Sequence, residues 1–452
     1  MTNAIKRPWL LVVTIGLGTL LNPLNSSMIS VALTRLQDEF SLTFAAASWL
    51  VSIFYLTSAA AQPVMGKLGD MFGAKRLFLS GLAISALASL LAVFSPNLMF
   101  LLICRALQAL GSSTLYPSAM LMIRGHVTQG QGKALAGLSL FATTSAAFGP
   151  SIGGFLLSWW DWHAIFLINF PFIIVSFSLS LFILPNTRSG RIDLRRIDFS
   201  GIGLFAAAIV TLILGLLSLE KDPAWFMFGI SAVTAVVFYL YEKRKQEPFI
   251  DVLTLKKNYN TTLVYAQFIC ISLVYYTYFF GLPAYLQQVR GLDEQKTGLV
   301  MLSLAGMGII IAPLTGKLVD RFGAKVPLLL GAGTLTAGTV LMLTFHNHSP
   351  LGWLIAIMII LGMSSGFNNI SMQRALFEQV RAEDTGSASG LFQTSRYLGA
   401  ILSSSVLGIF FTGAMTIDQL HKVAVVSLIF CAVVTGLSIR IPGRNQRPAV
   451  SP

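Results

Sequence analysis

Long apolar runs separated by short polar loops occupy nearly the whole sequence. A helix that crosses a bilayer needs about 20 mostly apolar residues, and runs of that length recur from one end of the chain to the other. This pattern predicts an all-α integral membrane protein with fourteen spans. We place the spans at residues 9–33, 47–65, 77–94, 98–123, 134–159, 164–184, 199–219, 225–241, 262–280, 298–315, 326–345, 351–372, 387–411 and 423–439.

One polar segment occurs twice, at residues 63–75 and 313–325, with nine of thirteen positions identical. Such a repeat predicts two related halves, and parallel repeats of apolar helices are typical of transporters that bind a solute between them. Six helices with short loops take roughly 200 residues, so the offset of 250 leaves room for an extra pair. We therefore predict an N-terminal six-helix bundle at 1–186, an inserted two-helix linker with basic flanks at 187–258, and a pseudo-symmetric C-terminal six-helix bundle at 259–452.

Composition and charge agree with a membrane protein. Hydrophobic residues make up 55% of the chain, charged residues 11%, and the mean hydropathy is +0.74. A net charge of +13 is also typical of nucleic-acid-binding proteins, but 24 of the 31 basic residues fall in segments predicted to be cytoplasmic and five in outer loops. Cytoplasmic loops collect Lys and Arg. We therefore predict cytoplasmic termini and a lipid bilayer as partner, and expect no nucleic acid.

The sequence lacks the patterns of a metal, cofactor or enzyme site. Cys104, Cys270 and Cys431 lie in apolar runs and the five histidines lie in loops or at helix ends, which gives no disulfide framework and no metal-ligand spacing. A nucleophile–base cluster and a phosphate loop are also missing. We expect no metal and no cofactor; a membrane enzyme and a non-transporting sensor are the alternatives of a different class.

Further motifs lie at residues 24–33, 105–111, 149–154, 162–171 and 197–201. Together with the repeated segment, they resemble the major facilitator superfamily, and the predicted fourteen helices resemble its branch of drug:proton antiporters. The resemblance covers nearly the whole chain. It implies a plasma-membrane exporter of small amphipathic compounds that works by alternating access, exchanges substrate for protons and functions as a monomer. An importer or facilitator of a small solute is the alternative.

The resemblance also implies a gate at the repeated segment. Its glycines permit a tight turn or a close helix approach, and Asp70 is placed to pair with Lys75 or Arg76 in one conformation. The alternative is an ordinary basic loop, since exposed ion pairs contribute only about 0–1 kcal/mol. The candidate gating residues are Gly66, Asp70, Gly73, Lys75 and Arg76 in the first copy and Gly316, Asp320, Arg321 and Gly323 in the second.

Arg105 is the candidate for coupling. It lies seven residues into its predicted span, roughly 10 Å deep at 1.5 Å per residue, where an unpaired charge costs at least about 2.5 kcal/mol. The resemblance implies that Arg105, with Gln108 one turn away, takes part in proton movement; a structural arginine that reaches outward is the alternative. Asn25 stands where the branch usually carries an aspartate, so the usual proton carrier is missing. The remaining acidic candidates are Asp38, Glu39, Asp70, Asp293 and Glu294.

A glycine motif and a set of aromatic and amide residues complete the candidate sites. Glycines four residues apart beside a proline allow a close neighbour and a bend; the resemblance implies an antiporter motif that seals a leak path, and close packing alone is the alternative. This motif comprises Gly149, Pro150, Gly153 and Gly154. A broad, mostly apolar cavity needs few polar anchors, although aromatic residues in membrane helices also form interfacial belts. The candidate cavity residues are Trp49, Tyr55, Tyr116, Phe148, Tyr276, Asn368, Asn369 and Arg396.

Overall fold

In the part of the chain that it describes, the computed structural model consists of helices joined by turns and short loops, as predicted, and these ranges contain no strand. They are residues 8–42, 44–127, 129–185, 198–218, 223–245, 248–250, 252, 259–292, 294–410 and 416–441. The helices up to the inserted linker are α1 (Pro8–Thr19), α2 (Leu21–Phe40), α3 (Phe44–Phe72), α4 (Ala74–Val93), α5 (Leu98–Ser113), α6 (Leu115–His126), α7 (Gln131–Trp160), α8 (His163–Leu167) and α9 (Asn169–Ile183). The later helices are α10 (Phe199–Ser218), α11 (Trp225–Glu242), α12 (Tyr259–Gln288), α13 (Glu294–Phe322), α14 (Lys325–Met342), α15 (Leu351–Gln379), a 3₁₀ turn (Ala382–Asp384), α16 (Thr385–Phe410) and α17 (Ile417–Arg440).

Each of the predicted spans falls on these helices, although three spans are divided. The divisions lie at Leu20 between α1 and α2, at Thr114 between α5 and α6, and at Ile168 between α8 and α9. Backbone hydrogen bonds continue across them, such as Leu24 N to Leu20 O at 3.0 Å and Ser118 N to Thr114 O at 3.2 Å. The divisions therefore interrupt the regular helix without opening a loop.

Eleven helical segments of the described chain are long and apolar enough to cross a membrane. The other three predicted spans lie on α3, α7 and α16, which have 29, 30 and 26 residues. These helices are long enough to span a bilayer, but they are not among the eleven segments. The count of fourteen spans and the cytoplasmic termini therefore stay predictions.

Cysteine labelling tests this topology. Positions 191 and 221 lie outside the described residues, in loops predicted from the sequence, and the basic-residue asymmetry predicts that they face opposite sides of the membrane. We expect Arg191→Cys to react with an impermeant maleimide only from the cytoplasmic side and Lys221→Cys only from the outer side. The three native cysteines are buried or half-buried, which keeps the background low. Reaction of both positions from one side would contradict fourteen spans.

The two repeated segments fold alike, and each is helical for most of its length. The first continues α3 to Phe72 and the second continues α13 to Phe322; the chain then turns at Gly73 in the first copy and at Gly323 and Ala324 in the second. These glycines have φ of 91° and 78°, values that favour glycine over residues with a Cβ atom. The segments are thus helix ends that are joined by one or two residues, where the sequence suggested a longer loop.

Two compact units are distinguishable, and α10, α11 and α16 each contribute residues to both. In the first unit α2 packs on α7, and α5 packs on α3 and α4. In the second unit α13 and α14 pack on α15, around buried apolar side chains such as Tyr285, Leu304 and Leu361. The first unit comprises the described residues within 1–210, 237–250 and 381–394, and the second those within 211–236, 251–380 and 395–452.

Candidate functional site

Arg105 lies in the interior of the first unit, where only 1% of its surface is exposed. Its guanidinium donates from Nε to the Leu50 carbonyl at 3.2 Å, from Nη2 to the Asn25 carbonyl at 3.3 Å, and from Nη1 to Gln108 Oε1 at 3.1 Å. The guanidinium carbon also lies 4.4 Å from the centroid of the Phe54 ring, which is within range of a cation–π interaction. The alternative of an arginine that reaches outward is therefore wrong.

Two further polar residues, Ser89 and Asn169, extend this group. Gln108 Nε2 donates to Ser89 Oγ at 2.8 Å, and Asn169 Nδ2 lies 2.9 Å from Asn25 Oδ1 and 3.2 Å from Ser89 Oγ. All of these residues are buried. We call Arg105, Gln108, Asn25, Ser89 and Asn169 the Arg105 cluster. Its hydrogen bonds satisfy the buried charge with carbonyl, amide and hydroxyl dipoles, and the described contacts of Arg105 include no carboxylate.

The sequence predicted Arg105, Gln108 and Asn25 but did not single out Ser89 or Asn169 as members of a site. Ser89 follows Ser85 by one turn on α4, and Asn169 begins α9 directly after the division at Ile168. A polar residue at a helix start is an ordinary cap signal. Their partners lie on other helices, so only the packing identifies them as part of the cluster.

The glycine motif of α7 packs closely against α2. A Cβ atom at Gly149 would meet the Ser27 side chain, and one at Gly153 would lie 3.2 Å from the Met28 carbonyl oxygen. Ser145, one turn earlier, donates to the carbonyl of Leu20 at 2.8 Å, at the division between α1 and α2. These contacts account for the glycine spacing by close helix packing. Gly154 is half-buried, and the side chain of Pro150 lies outside the described residues.

Asp70 accepts three hydrogen bonds from the start of α16. Its Oδ1 accepts from Gly386 N at 2.8 Å, and its Oδ2 accepts from Ser387 N at 2.8 Å and from Ser387 Oγ at 2.7 Å. The carboxylate thus caps the N-terminus of a helix more than 300 residues away in the sequence, where the free N–H groups and the helix dipole favour a negative charge. In this structure Asp70 therefore binds the start of α16, and the pairing with Lys75 or Arg76 that the sequence suggested for one conformation stays a prediction.

Lys75 and Arg76 have other environments. Lys75 Nζ donates to the carbonyls of Leu181 and Leu184 at 2.8 and 2.9 Å, which satisfies free acceptors at the end of α9. Arg76 is exposed. In the second copy Gly316 is buried, Asp320 is half-buried, and the guanidinium carbon of the exposed Arg321 lies 5.1 Å from the Phe322 ring centroid.

Small residues spaced four apart bring α3 and α16 together. A Cβ atom at Gly66 would meet the backbone of Gly386, and one at Gly390 would meet that of Gln62 and Pro63. Further along, Thr394 Oγ1 donates to the Ala59 carbonyl at 2.7 Å. We call this contact the α3–α16 seam. It comprises Ala59, Gln62, Gly66 and Asp70 on α3 and Gly386, Ser387, Gly390 and Thr394 on α16.

The α6 end also reaches the seam. Arg124 Nη1 donates to Thr385 Oγ1 at 2.9 Å and to the Arg381 carbonyl at 3.2 Å. The sequence predicted Gly66 and Asp70 but missed the residues that face them. A glycine, glycine and threonine at 386, 390 and 394 form a small-residue stripe on a helix, which was the available signal.

Enlarging Gly66 should impair the seam. We expect Gly66→Ala to lower transport several-fold with normal expression, because the new methyl group meets backbone, which cannot rotate away as a side chain does. Gly125→Ala is the matched control, since a Cβ atom at Gly125 meets nothing within 4 Å. Uptake or efflux of a transported dye by cells that express each variant measures the effect, and equal activity of the two would contradict a functional seam.

The eight predicted cavity residues have different environments. Trp49 and Phe148 are 44% and 45% exposed, and Tyr276 lies within an aromatic group, 5.4 Å from Phe280. Asn368 is buried against Gly331, and neither of its amide atoms has a hydrogen-bond partner among the described residues. The cavity therefore stays a prediction. Tyr55, Tyr116, Asn369 and Arg396 are half-buried.

The family model of the Major Facilitator Superfamily matches residues 15–404. The Uncharacterized MFS-type transporter YwoD of Bacillus subtilis (strain 168) is 44% identical over 91% of this chain and 92% of its own. The Tetracenomycin C resistance and export protein of Streptomyces glaucescens is 30% identical over 89% and 76%. The Riboflavin transporter RibZ of Clostridioides difficile (strain 630) is 28% identical over 92% and 91%. The chain therefore belongs to the major facilitator superfamily and is a multi-pass transporter of the plasma membrane, not an enzyme.

Proposed function

We propose that this transporter exports small amphipathic compounds by alternating access, as a monomer, and that protons drive the exchange. The observation that carries the proposal is the α3–α16 seam, in which one carboxylate holds the end of a distant helix. Polar contacts between helix ends and close glycine contacts without large interlocking side chains can separate and form again. The seam would then be the gate at the end of the molecule predicted to be cytoplasmic.

Export is favoured by one relative whose name states it. The Streptomyces glaucescens protein is a resistance and export protein for tetracenomycin C. The second candidate function, transport of a small solute in the other direction or by facilitation, is favoured by the similarity to a riboflavin transporter. Both functions use the same gate, so the direction and the coupling ion decide between them.

The proposed coupling site is the Arg105 cluster. It holds a permanent positive charge in an interior where moving or exposing that charge changes the energy by kilocalories. A guanidinium with three acceptors on separate helices links the positions of those helices and therefore responds when one of them moves. Protonation of a nearby substrate or acid would alter the same contacts, which is a physical route from proton binding to helix movement.

Reconstitution into proteoliposomes tests the proposal. A pH-sensitive dye inside the vesicles reports whether substrates from a panel of dyes and antibiotics cause proton movement under an imposed pH gradient. An antiporter releases protons in response to substrate, whereas a facilitator moves substrate with no proton signal. The Arg105→Ala variant in the same vesicles is the negative control. Substrate movement that is insensitive to the gradient would overturn the proton-driven mechanism.

The charge of the cluster predicts the preferred substrates. Asn25 is only 3% exposed, and its carbonyl contacts Arg105, so the fixed charge at this place is positive. Bringing a cation near it means desolvation without a counter-charge. We expect neutral, zwitterionic or weakly acidic amphiphiles to be transported better than dicationic antiseptics.

Asn25→Asp tests this preference. An aspartate keeps the oxygen that accepts from Asn169 at 2.9 Å and adds a titratable negative charge beside Arg105. We expect efflux of monovalent cationic dyes such as ethidium to increase several-fold relative to the parent. Efflux assays on cells that express the two proteins provide the measurement. Strong export of dications by the parent, unchanged by the substitution, would refute the argument.

A further inference from the structure

Two acidic side chains meet at the ends of the inserted helices, away from the Arg105 cluster and the seam. Asp198 directly precedes α10 and Glu242 ends α11. Both are buried, with 6% and 2% of their surface exposed. Burial of a charged carboxylate costs several kcal/mol unless hydrogen bonds or counter-charges compensate for it. The partners of the four carboxyl oxygens therefore decide the protonation state of the pair.

Among the described residues, only one oxygen of each carboxyl group has a hydrogen-bond partner. Asp198 Oδ1 accepts from Gly201 N and from the Tyr241 hydroxyl, both at 3.0 Å, and lies 3.4 Å from Lys245 Nζ. Glu242 Oε2 accepts from Ile250 N at 3.3 Å. Asp198 Oδ2 and Glu242 Oε1 are buried and have no hydrogen-bond partner among the described residues.

The two unsatisfied oxygens converge on one point. A Cβ atom at Gly201 would meet both Glu242 Oε1 and Asp198 Oδ2, so glycine leaves the space between them open. One oxygen belongs to the residue before α10 and the other to the last residue of α11, and both border that space. Two ionised carboxylates in this arrangement repel each other, and such pairs hold one proton between them.

We propose that Asp198 and Glu242 form a proton-binding site in which the two carboxyl groups share one proton above Gly201. The proton lies between Asp198 Oδ2 and Glu242 Oε1 and supplies the hydrogen bond that each of these oxygens lacks. No step of substrate transport is needed for the site to form.

Charged groups around the site interact with its two carboxyl groups, so they respond to the loss of the shared proton. Lys245 and Tyr241 contact Asp198 from the α11 side, and Lys67 on α3 acts on Glu242 through its charge. Loss of the shared proton leaves two negative charges, which attract Lys67 more strongly. Lys67 directly follows Gly66 of the α3–α16 seam.

Infrared difference spectroscopy tests the site on the full chain in lipid nanodiscs. Spectra are recorded between about pH 5 and about pH 8, the range in which shared protons of carboxyl pairs are distinguishable from ordinary surface acids. We expect the wild type to show the C=O stretching band of a buried, protonated carboxyl group, and both Asp198→Asn and Glu242→Gln to lose it. Asp161→Asn is the matched control, because Asp161 is ion-paired with Arg35 at 2.7 Å and should leave the band unchanged.

Each outcome is decisive. Persistence of the band in both site variants, or its absence from the wild type, overturns the proposal. A band that sodium or potassium ions abolish shows that a cation occupies the space instead of a proton, and this also overturns it. Thermal unfolding of each variant, followed by tryptophan fluorescence, confirms that the proteins are folded. If Asp198→Asn or Glu242→Gln does not fold, Gly201→Ala replaces it in the test. Its methyl group fills the space between the two oxygens and should also remove the band.

Discussion

Both Arg105→Ala and Arg105→Lys should lose coupled transport, by at least about tenfold. Alanine leaves the carbonyls of Asn25 and Leu50 and the amide of Gln108 without their donor, and each unsatisfied buried group costs about 1–3 kcal/mol, where 1.4 kcal/mol corresponds to a factor of ten. Lysine retains the charge but not the planar fork that serves three acceptors from separate directions. Substrate-driven proton movement in proteoliposomes measures the loss.

The lysine variant distinguishes a role of Arg105 as a point charge from a role as a hydrogen-bond donor to several acceptors. If a point charge suffices, Arg105→Lys retains full activity and the hydrogen-bonding role fails. Arg290→Lys is the matched control, because the guanidinium of Arg290 donates to the carbonyls of Asn347 and Ser349 in an exposed or half-buried loop position, where a lysine is easily accommodated. We expect that variant to transport normally.

Asp70→Asn should reduce transport by about tenfold while expression and membrane insertion stay normal. Asparagine replaces one acceptor oxygen with an NH₂ group that faces the N–H donors at the start of α16, so at most one of the two oxygen sites is retained. Loss of a helix cap costs about 0.5–2 kcal/mol, and hydrogen bonds to a charged group contribute about 1.5–3 kcal/mol. Efflux from cells, normalised to the amount of protein in the membrane, is the measurement.

Asp418→Asn is the control for Asp70→Asn, since Asp418 is an exposed acid in the first turn of its own helix, α17. Normal transport by Asp70→Asn would mean that the repeated segment serves topology alone and is not a gate.

The pH dependence of stability gives a second measurement at Asp70. Burial raises the pKa of Asp70 from 3.8 to about 6, against the hydrogen bonds from Ser387 and Gly386, which lower it. The folded state therefore holds the proton more tightly than the unfolded state does, so stability is lost as the pH rises from about 4 to about 6, by up to about 3 kcal/mol. Above that range Asp70 is ionised in both the folded and the unfolded state, so it no longer makes the stability change with pH.

The wild type should thus show a falling unfolding temperature between about pH 4 and about pH 6 that Asp70→Asn lacks. At neutral pH the ionised carboxylate of Asp70 lies in the seam although burial disfavours its charge. This cost lowers the net stability of the contact, which is suitable for a contact that must open again. An identical pH profile for the two proteins would contradict this account of the contact.

Much of the fold follows from local sequence pattern. Apolar runs of spanning length give the positions of the helices, and the glycines at 73 and 323 give the turns, because both signals act within a few residues of the chain. The divisions at Leu20, Thr114 and Ile168 were not predicted. The hydrogen-bonded backbone continues across them, so they leave little trace in the hydrophobic pattern.

The same distinction between local sequence signals and long-range packing applies to the candidate sites. Arg105 and Gln108 were predicted together because they are one turn apart on a single helix, and a charge deep in an apolar run is visible in the sequence. Asn169 joins them from 144 residues beyond Asn25, and Asp198 and Glu242 meet although neither was among the acidic candidates. Sequence spacing carries no information about such contacts until the helices are packed.

The sequence by itself determined the membrane class, the helical fold, the internal repeat and the buried arginine, since hydrophobicity and short-range spacing dictate them. Only the tertiary structure decided which groups those residues bind: Asp70 caps a helix 316 residues away instead of pairing with a neighbouring cation. The physical reason is that a buried charge takes whichever compensating dipoles or charges the packing brings to it, and in this chain the free N–H groups at the start of α16 lie closer to Asp70 than the lysine and arginine that follow it in sequence.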